Sequence, residues 1–184
     1  LCQLLSVSEN QLLEEIAALG PAQKQQAPLF LPYLSGERTP HNDPDATGAF
    51  FYLRHETQRA LLGYAVLEGV AFGLADGLTV LGEGRRAITQ FSLTGGGARS
   101  SLWAQLIADV LALPVVTHPA SASGALGAAR LAWLAAGGDE AQVCLKPPIQ
   151  ARFLPNPEVR QGLQQRLAQF RELYRQHSQS RSLA

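Results

Sequence analysis

The stretch TQFSLTGGGARSSLW, residues 89–103, is the most informative part of the chain. An apolar strand pattern runs into three consecutive glycines, small polar residues follow, and a helical pattern opens at Ser100. Glycine permits a positive φ and carries no Cβ that would hold a ligand away from the backbone. The helix that follows offers unpaired N–H groups and the positive end of its dipole. Such a junction suits the binding of a nucleotide.

Two interpretations of this turn stay open from its residues alone. Gly95, Gly96 and Gly97 form either a tight strand-to-helix connection without a ligand or one wall of a nucleotide site. Ser100 either caps the helix or donates a hydrogen bond to a base or ribose. The turn is not a Walker A loop, because no Gly-Lys-Ser/Thr follows it. A serine also stands where the GxGxxG fingerprint needs its last glycine.

Strand and helix patterns alternate around the turn. Strands are predicted at 87–94 and 115–118, and helices at 8–19, 56–81, 100–113, 121–136 and 157–177. This alternation is typical of an α/β fold. Two clear strands are too few for a complete sheet, so we expect part of an α/β domain that lacks its first strands.

The other stretches are predicted to be extended or irregular. They are a polar linker at 22–27, an apolar extended segment at 28–34, a loop at 35–48, a proline-rich connector at 146–157 and a frayed tail at 178–184. Gly69, Gly73 and Gly77 recur along the predicted helix at 56–81. A helical glycine costs about 1 kcal/mol relative to alanine. The three glycines therefore indicate a face that packs close to a neighbouring backbone.

Few other residues suggest chemistry, and we predict no catalytic residue and no metal ligand in this chain. In the loop, Glu37, Arg38 and His41 either face a ligand or form a solvated turn. The small residues at 121–129 favour helix packing over ligand contact. Glu68 and Asp76, eight residues apart, form no obvious acid/base pair. A solvated helix face is predicted for the arginines of the C-terminal region, Arg152, Arg160, Arg166, Arg171 and Arg175.

Composition narrows the class of partner. The net charge is zero and the sequence pI is about 7.1, so nothing indicates nucleic acid or an anionic membrane. The histidines and cysteines lack the spacing typical of metal ligands. Cys2 and Cys144 stand beside apolar residues, which predicts reduced, buried or half-buried thiols in a cytoplasmic protein.

Several stretches together resemble the FGGY family of carbohydrate kinases. They are LPYLSGERTPH at 31–41 with DPDATGAFF at 43–51, AVLEGVAF at 65–72, LTGGGARS at 93–100 and GALGAA at 124–129. The resemblance is strongest to the C-terminal domain of bacterial xylulose kinases. It implies that residues 1–184 form the C-terminal part of the second kinase domain. It also implies a partial RNase H-like fold, of the type found in actin, hexokinase and Hsp70.

The resemblance implies an ATP-dependent phosphorylation of D-xylulose to D-xylulose 5-phosphate. Gly95, Gly96 and Gly97 would lie against the adenine and ribose of ATP or ADP, with Ser100 near the base. Related glycerol kinases have an asparagine at the position of Ser100, and a hydroxyl cannot make the two-pronged bond of an amide. A homodimer is the expected assembly.

The resemblance also implies that the catalytic parts of the kinase lie outside residues 1–184. No residue here matches the family's catalytic-base aspartate, and the Mg²⁺ site and most sugar contacts belong to the first domain. We therefore expect the chain to be inactive alone. The alternatives are a kinase for another sugar or polyol, such as ribulose or glycerol, and a non-catalytic binding or assembly module.

Overall fold

A computed structural model describes residues 1–119 and 124–181 of the chain. The helices are α1 (Glu9–Ala17), α2 (Pro21–Gln25), α3 (Arg59–Thr79), α4 (Ser101–Leu111), α5 (Gly124–Ala135), α6 (Glu140–Val143) and α7 (Pro157–Arg181). The strands are β1 (Leu29–Leu31), β2 (Ala49–Phe51), β3 (Phe91–Leu93), β4 (Val115–Thr117) and β5 (Ala151–Phe153). Short 3₁₀ helices cover Gly82–Ala87 and Gly96–Arg99.

The strands form two small sheets. Strands β1 and β2 pair antiparallel, with Leu29 opposite Phe51. In the second sheet β3 pairs parallel with β4, and β5 pairs antiparallel with the other edge of β4. Helix α4 carries the chain from β3 to β4, because two parallel strands need a crossover connection. The predicted α/β architecture is confirmed in this β3-α4-β4 unit.

Most predicted elements are confirmed, and their ends differ by a few residues. Helix α1 begins as predicted, since Ser8 Oγ accepts a hydrogen bond from the Gln11 N–H at 3.2 Å. Helix α7 extends to Arg181, so the tail prediction is wrong for 178–181. Residues 182–184, and the start of the helix predicted at 121–136, lie outside the described residues.

Two segments predicted to be irregular contain regular structure. The linker at 22–27 overlaps helix α2, which begins with Pro21 in its first turn, where a missing N–H costs no helical hydrogen bond. The connector at 146–157 contains β5, which pairs Phe153 with Val115. Partners far along the chain stabilise β5, and a local pattern does not reveal them.

Helix α3 is the centre of the fold and packs against α1, α4, α7 and β1. Its side chains join a first core cluster, which includes Ile16, Leu31 and Phe72, and a second, which includes Ala71 and Val115. In the described part of the chain, α3 alone has the length and hydropathy of a membrane span. The fold buries 56% of its most apolar window, as expected for the core helix of a folded domain.

The glycine face of α3 contacts a neighbouring backbone at one position. A Cβ on Gly69 would overlap the carbonyl oxygen of Phe30 and lie 3.3 Å from the Phe30 carbonyl carbon. Strand β1 therefore reaches α3 only because residue 69 is glycine. No described atom lies within 4 Å of a Cβ built at Gly73 or Gly77. The prediction of close packing is confirmed at Gly69 and wrong at the other two.

Two arginines of α7 bind carboxylates of α3, so the predicted solvated face is wrong at these positions. Arg166 is 9% exposed and pairs with Glu68, which is fully buried. Arg171 Nε lies 2.6 Å from Oδ1 of Asp76, which is 4% exposed. Burial raises the pKa of Glu68, and the Arg166 guanidinium opposes that shift.

Candidate functional site

The glycine turn joins β3 to α4, as the sequence predicts. Gly95 has φ 86° and ψ −167°, a conformation that side chains other than hydrogen disfavour. The 3₁₀ helix Gly96–Arg99 follows, and Ser100 then caps α4. Ser100 Oγ accepts a hydrogen bond from the Trp103 N–H at 3.3 Å. The capping role of Ser100 is confirmed, and its own O–H remains able to donate to a ligand.

A groove of about 920 Å³ lies between this turn, α1 and α3. We call it the nucleotide groove after the prediction made from the sequence. Its volume falls in the range that holds small-molecule ligands, roughly 300–1,000 Å³. The turn contributes Gly96, Gly97, Arg99 and Ser100 to the lining. Apolar side chains on α1 and α3 form much of the rest, among them Leu13, Val66 and Leu67. The groove therefore joins backbone polar groups on one wall to apolar side chains on the other.

A second cavity of about 640 Å³ lies on the opposite side of the turn, beyond the carboxyl ends of β3 and β4. Gly95 and His118 line it, while Gly96 and Arg99 line both cavities. His118 Nδ1 lies 3.0 Å from the carbonyl oxygen of Pro148, which only accepts, so Nδ1 donates there. The structure thus brings Gly96, Gly97 and Ser100 to the nucleotide groove and places Gly95 in the other cavity.

A different structural feature explains the presence of glycine at each of the three positions. Gly95 provides the positive φ of the turn. A Cβ built at Gly96 would meet only Arg99 Nη2, at 3.8 Å, so the space beside the Gly96 Cα is open. At Gly97 a Cβ would lie 2.7 Å from Cε3 of the Trp103 indole and closer still to Cζ3. Gly96 is therefore the glycine best placed to meet a ligand, and Gly97 accommodates a neighbouring side chain.

Trp103 is a member of the site that the sequence pattern did not single out. Its indole lines the nucleotide groove, and its Nε1–H donates to the carbonyl oxygen of Leu67 on α3 at 3.1 Å. A large aromatic residue three positions after a helix cap was the available signal. That signal is weak, because an aromatic residue in the first turn of a helix is usually part of the core.

The loop at 35–48 is held against α7, which decides part of the open question about its polar residues. Glu37 Oε2 accepts a hydrogen bond from the His41 N–H at 2.7 Å. The His41 ring stacks on Tyr174 with 3.8 Å between the ring centroids. Both residues serve contacts within the chain, whereas Arg38 is exposed. The loop lies away from the nucleotide groove, whose lining includes none of these residues.

Asp43 fixes the same loop to the C-terminal half of α7. Its carboxylate pairs with Arg181 and accepts a hydrogen bond from the Tyr174 hydroxyl at 3.0 Å. The hydrogen bond from Arg181 holds the pKa of Asp43 below its ordinary value. Burial, together with the Asp43 carboxylate, raises the pKa of Tyr174 to about 12.

Within residues 1–119 and 124–181, no three His, Cys, Asp or Glu side chains come together as a possible metal site. The residues described here therefore do not fit a metal ion held by protein side chains alone. Cys2 is half-buried, as predicted, whereas Cys144 is exposed, which contradicts the prediction for that thiol.

Comparison with known proteins identifies similar sequences and structures. Residues 2–136 match the model of the FGGY family of carbohydrate kinases, C-terminal domain. The chain is 43% identical to the xylulose kinase of Escherichia coli K12 over 165 residues, which cover 88% of this chain and 34% of that protein. It is 35% identical to the glycerol kinase of Dechloromonas aromatica over 147 residues, 78% of this chain and 29% of that protein.

A solved structure shows the same arrangement of elements. The crystal structure of a xyloylose kinase from Brucella ovis matches with a TM-score of 0.82 and 33% identity. The match covers 96% of this chain and 37% of that one. The chain therefore spans about a third of the length of the relatives it matches.

Proposed function

Since the chain belongs to the FGGY family of carbohydrate kinases, we propose that it forms the adenosine side of the ATP site in a sugar kinase. Membership in this family and similarity to solved sugar kinases give it the actin/hexokinase-like ATPase fold. The observation that carries the proposal is the position of Gly96, Gly97 and Ser100 together on one wall of the nucleotide groove.

The wall and the groove suit an adenosine for separate reasons. The space beside the Gly96 Cα is open, so a flat base can approach the backbone of the turn. The Ser100 hydroxyl accepts from the backbone and keeps its hydrogen for a base nitrogen or a ribose oxygen. Val66 and Leu67 on α3 supply apolar surface for the faces of the ring. Gly95 contributes by setting the turn, and we assign it no direct contact.

We propose D-xylulose as the sugar, with D-xylulose 5-phosphate as the product. The support is the 43% identity to the E. coli xylulose kinase. Similarity to a glycerol kinase keeps glycerol, and other sugars or polyols such as ribulose, as the alternative. The protein would then act in carbohydrate metabolism in the cytoplasm, with ATP and the sugar as its small-molecule partners.

We propose that the 184-residue chain binds nucleotide but does not transfer a phosphoryl group. Transfer requires a positioned acceptor hydroxyl, a base and neutralisation of the developing charge, which Mg²⁺ supplies in kinases. No three of the described His, Cys, Asp or Glu side chains form a metal site, and the part proposed for these residues is to bind and orient the adenosine. We propose that the base and the sugar contacts come from parts of the kinase outside residues 1–184.

One observation favours the competing function, a non-catalytic binding or assembly module. Packing against Trp103 already accounts for glycine at position 97. In such a module the whole turn would be a tight connection. Nucleotide affinity separates the two functions.

The test is a calorimetric titration of the chain with ATP and ADP, repeated for the Gly96→Val and Gly84→Val variants. Both glycines have open surroundings, so both variants should fold, but only Gly96 lines the nucleotide groove. We expect binding by the wild type and by Gly84→Val, and a loss of about tenfold or more for Gly96→Val, as for a misplaced contact of about 1.4 kcal/mol. Equal affinity of all three proteins, or no binding by the wild type, would reject the proposed function.

A further inference from the structure

The turn that carries Gly96 rests on the indole of Trp103. The carbon atoms that a Cβ at Gly97 would meet are Cζ3, Cε3 and Cη2, all on the six-membered ring of the indole. Contacts of 3.0 Å or less are not tolerated by a rigid ring, so glycine at 97 and tryptophan at 103 are sterically coupled. A side chain at 97 would push either the indole or the turn out of place.

The indole is less able to move than the turn. Its Nε1–H donates to the carbonyl oxygen of Leu67 at 3.1 Å, which ties the ring to the central helix α3. The ring also packs against both hydrophobic clusters of the core. The turn has weaker restraints, since the Ser100 N–H and the Arg99 side chain bond only to Gly97 and Gly96 of the turn itself. Strain between the two would therefore displace the turn.

We propose that Trp103 is a positioning residue, which sets the place of the glycine turn and so delivers Gly96 to the nucleotide. The inference rests on the proposed function, because it concerns the same groove. It assigns the need for glycine at position 97 to the Trp103 indole and not to the ligand. Trp103 makes this contribution through the backbone of the turn, and Gly96 and Ser100 make the contacts.

Direct contact between the ligand and Gly97 is the alternative explanation for glycine at this position. If Gly97 is glycine because ATP needs its bare Cα, a methyl group at 97 blocks the ligand whatever residue occupies position 103. If Trp103 imposes the glycine, a smaller ring at 103 makes room for the methyl group. Phenylalanine suits this purpose, because its six-atom ring is smaller than the nine-atom indole and lacks the Nε1–H that ties the indole to Leu67.

The experiment compares six full-length versions of the chain: wild type, Gly97→Ala, Trp103→Phe, the double variant Gly97→Ala/Trp103→Phe, Gly96→Val/Trp103→Phe, and the control Trp133→Phe. ADP affinity is measured by calorimetry and folding by thermal unfolding. Trp133→Phe is the matched control for the loss of a tryptophan, because Trp133 is 59% exposed and does not line the nucleotide groove.

We expect Gly97→Ala to weaken ADP binding about tenfold, the effect of an overpacking cost of about 1.4 kcal/mol. The double variant should return to within about threefold of Trp103→Phe alone, while Gly96→Val/Trp103→Phe should stay weak. Loss and rescue of affinity among variants that all remain folded is a readout that a purely stabilising role of Trp103 would not produce.

Two results would overturn the inference while leaving the proposed function intact. In the first, Gly97→Ala binds ADP as tightly as the wild type. In the second, it binds weakly and Trp103→Phe fails to restore the affinity, which places the ligand against Gly97 itself. No binding by the wild type is a separate outcome, which rejects the proposed function and the positioning role with it. If Gly97→Ala unfolds, the double variant is compared with Trp103→Phe: equal ADP affinity shows that Trp103 and not the ligand imposes glycine at position 97, and a weaker double variant overturns the inference.

Discussion

Arg166 on α7 binds both carboxylate oxygens of Glu68 on α3 through two N–H groups of its guanidinium. Nε lies 2.8 Å from Oε1 and Nη2 lies 2.6 Å from Oε2 of Glu68. The remaining N–H groups donate to the carbonyl oxygens of Gln25, Ala27 and Pro28 at 3.0 to 3.2 Å. A single buried side chain thereby joins α7, α3 and the entry to β1.

Removing Arg166 should be among the most destabilising single changes in the chain. Arg166→Ala leaves the buried Glu68 carboxylate without its counter-charge, which typically costs about 3–5 kcal/mol. Urea unfolding followed by circular dichroism measures the effect. The matched control is Arg160→Ala on the same helix, whose exposed side chain should change the free energy of unfolding by less than about 0.5 kcal/mol.

The pair can also be removed as a whole. The double variant Glu68→Leu/Arg166→Met should be more stable than Arg166→Ala, because it leaves no buried charge behind. A double variant that is less stable than the single one would show that the unpaired Glu68 carboxylate is not what destabilises Arg166→Ala.

Gly69 should tolerate no side chain. In Gly69→Ala the new methyl group would overlap the Phe30 carbonyl oxygen and separate β1 from α3, at a cost of about 1–3 kcal/mol. Gly73→Ala on the same helix has open surroundings and should stabilise the fold by up to about 1 kcal/mol. Thermal unfolding of the two variants gives the comparison, and equal shifts would contradict the close approach at Gly69.

The attachment of the loop at 35–48 to α7 should weaken in acid. The pKa of Asp43 is lowered in the folded chain, so below its ordinary value near 4 the unfolded chain binds more protons than the folded one. The contribution of Asp43 is therefore complete above about pH 4 and is lost as the pH falls through the folded-state pKa.

The near-ultraviolet circular dichroism of Tyr174 reports this loss, since its hydroxyl donates to Asp43 and its ring stacks on His41. We expect a transition below pH 4 in the wild type that is absent in Asp43→Asn. A transition of equal size in both proteins would assign the acid sensitivity to another group.

The chain should self-associate through helix α5. Every residue of Gly124–Ala135 is at least partly exposed, and Leu131 and Trp133 are 70% and 59% exposed. Burial of such apolar surface favours association. Sedimentation velocity should show species larger than a monomer at high concentration, and Leu131→Glu should reduce them. A monomer at every concentration would contradict both this prediction and the expected homodimer.

The sequence pattern predicted the β3-turn-α4-β4 unit because its signals are local. Gly95–Gly97 interrupt an apolar strand, and Ser100 is a strong helix cap. The burial of α3 could not be predicted in the same way. Nearly every position of that helix is apolar or small, so periodicity does not distinguish the buried side from the half-exposed side that carries Leu62, Val66 and Val70.

The long-range contacts were missed for a related reason. Arg166 has the same local sequence surroundings as a solvated arginine, and only the packing of α7 against α3 brings it to Glu68, 98 positions away. The coupling of Gly97 to Trp103 spans six positions, but it depends on the direction of the indole. Local sequence predicts that the turn is suited to a ligand, and the packing decides which glycine meets one.

The most direct measurement of the nucleotide groove is a titration of the ¹⁵N-labelled chain with ADP, followed by the amide resonances. We predict that the largest shifts occur at Gly96, Gly97 and Ser100, with smaller ones on the α1 wall of the groove at Ser8 and Glu9. Shifts centred on Thr117 and His118 would place the ligand in the second cavity. That result, or the absence of any shift at saturating ADP, would contradict the assignment of this groove.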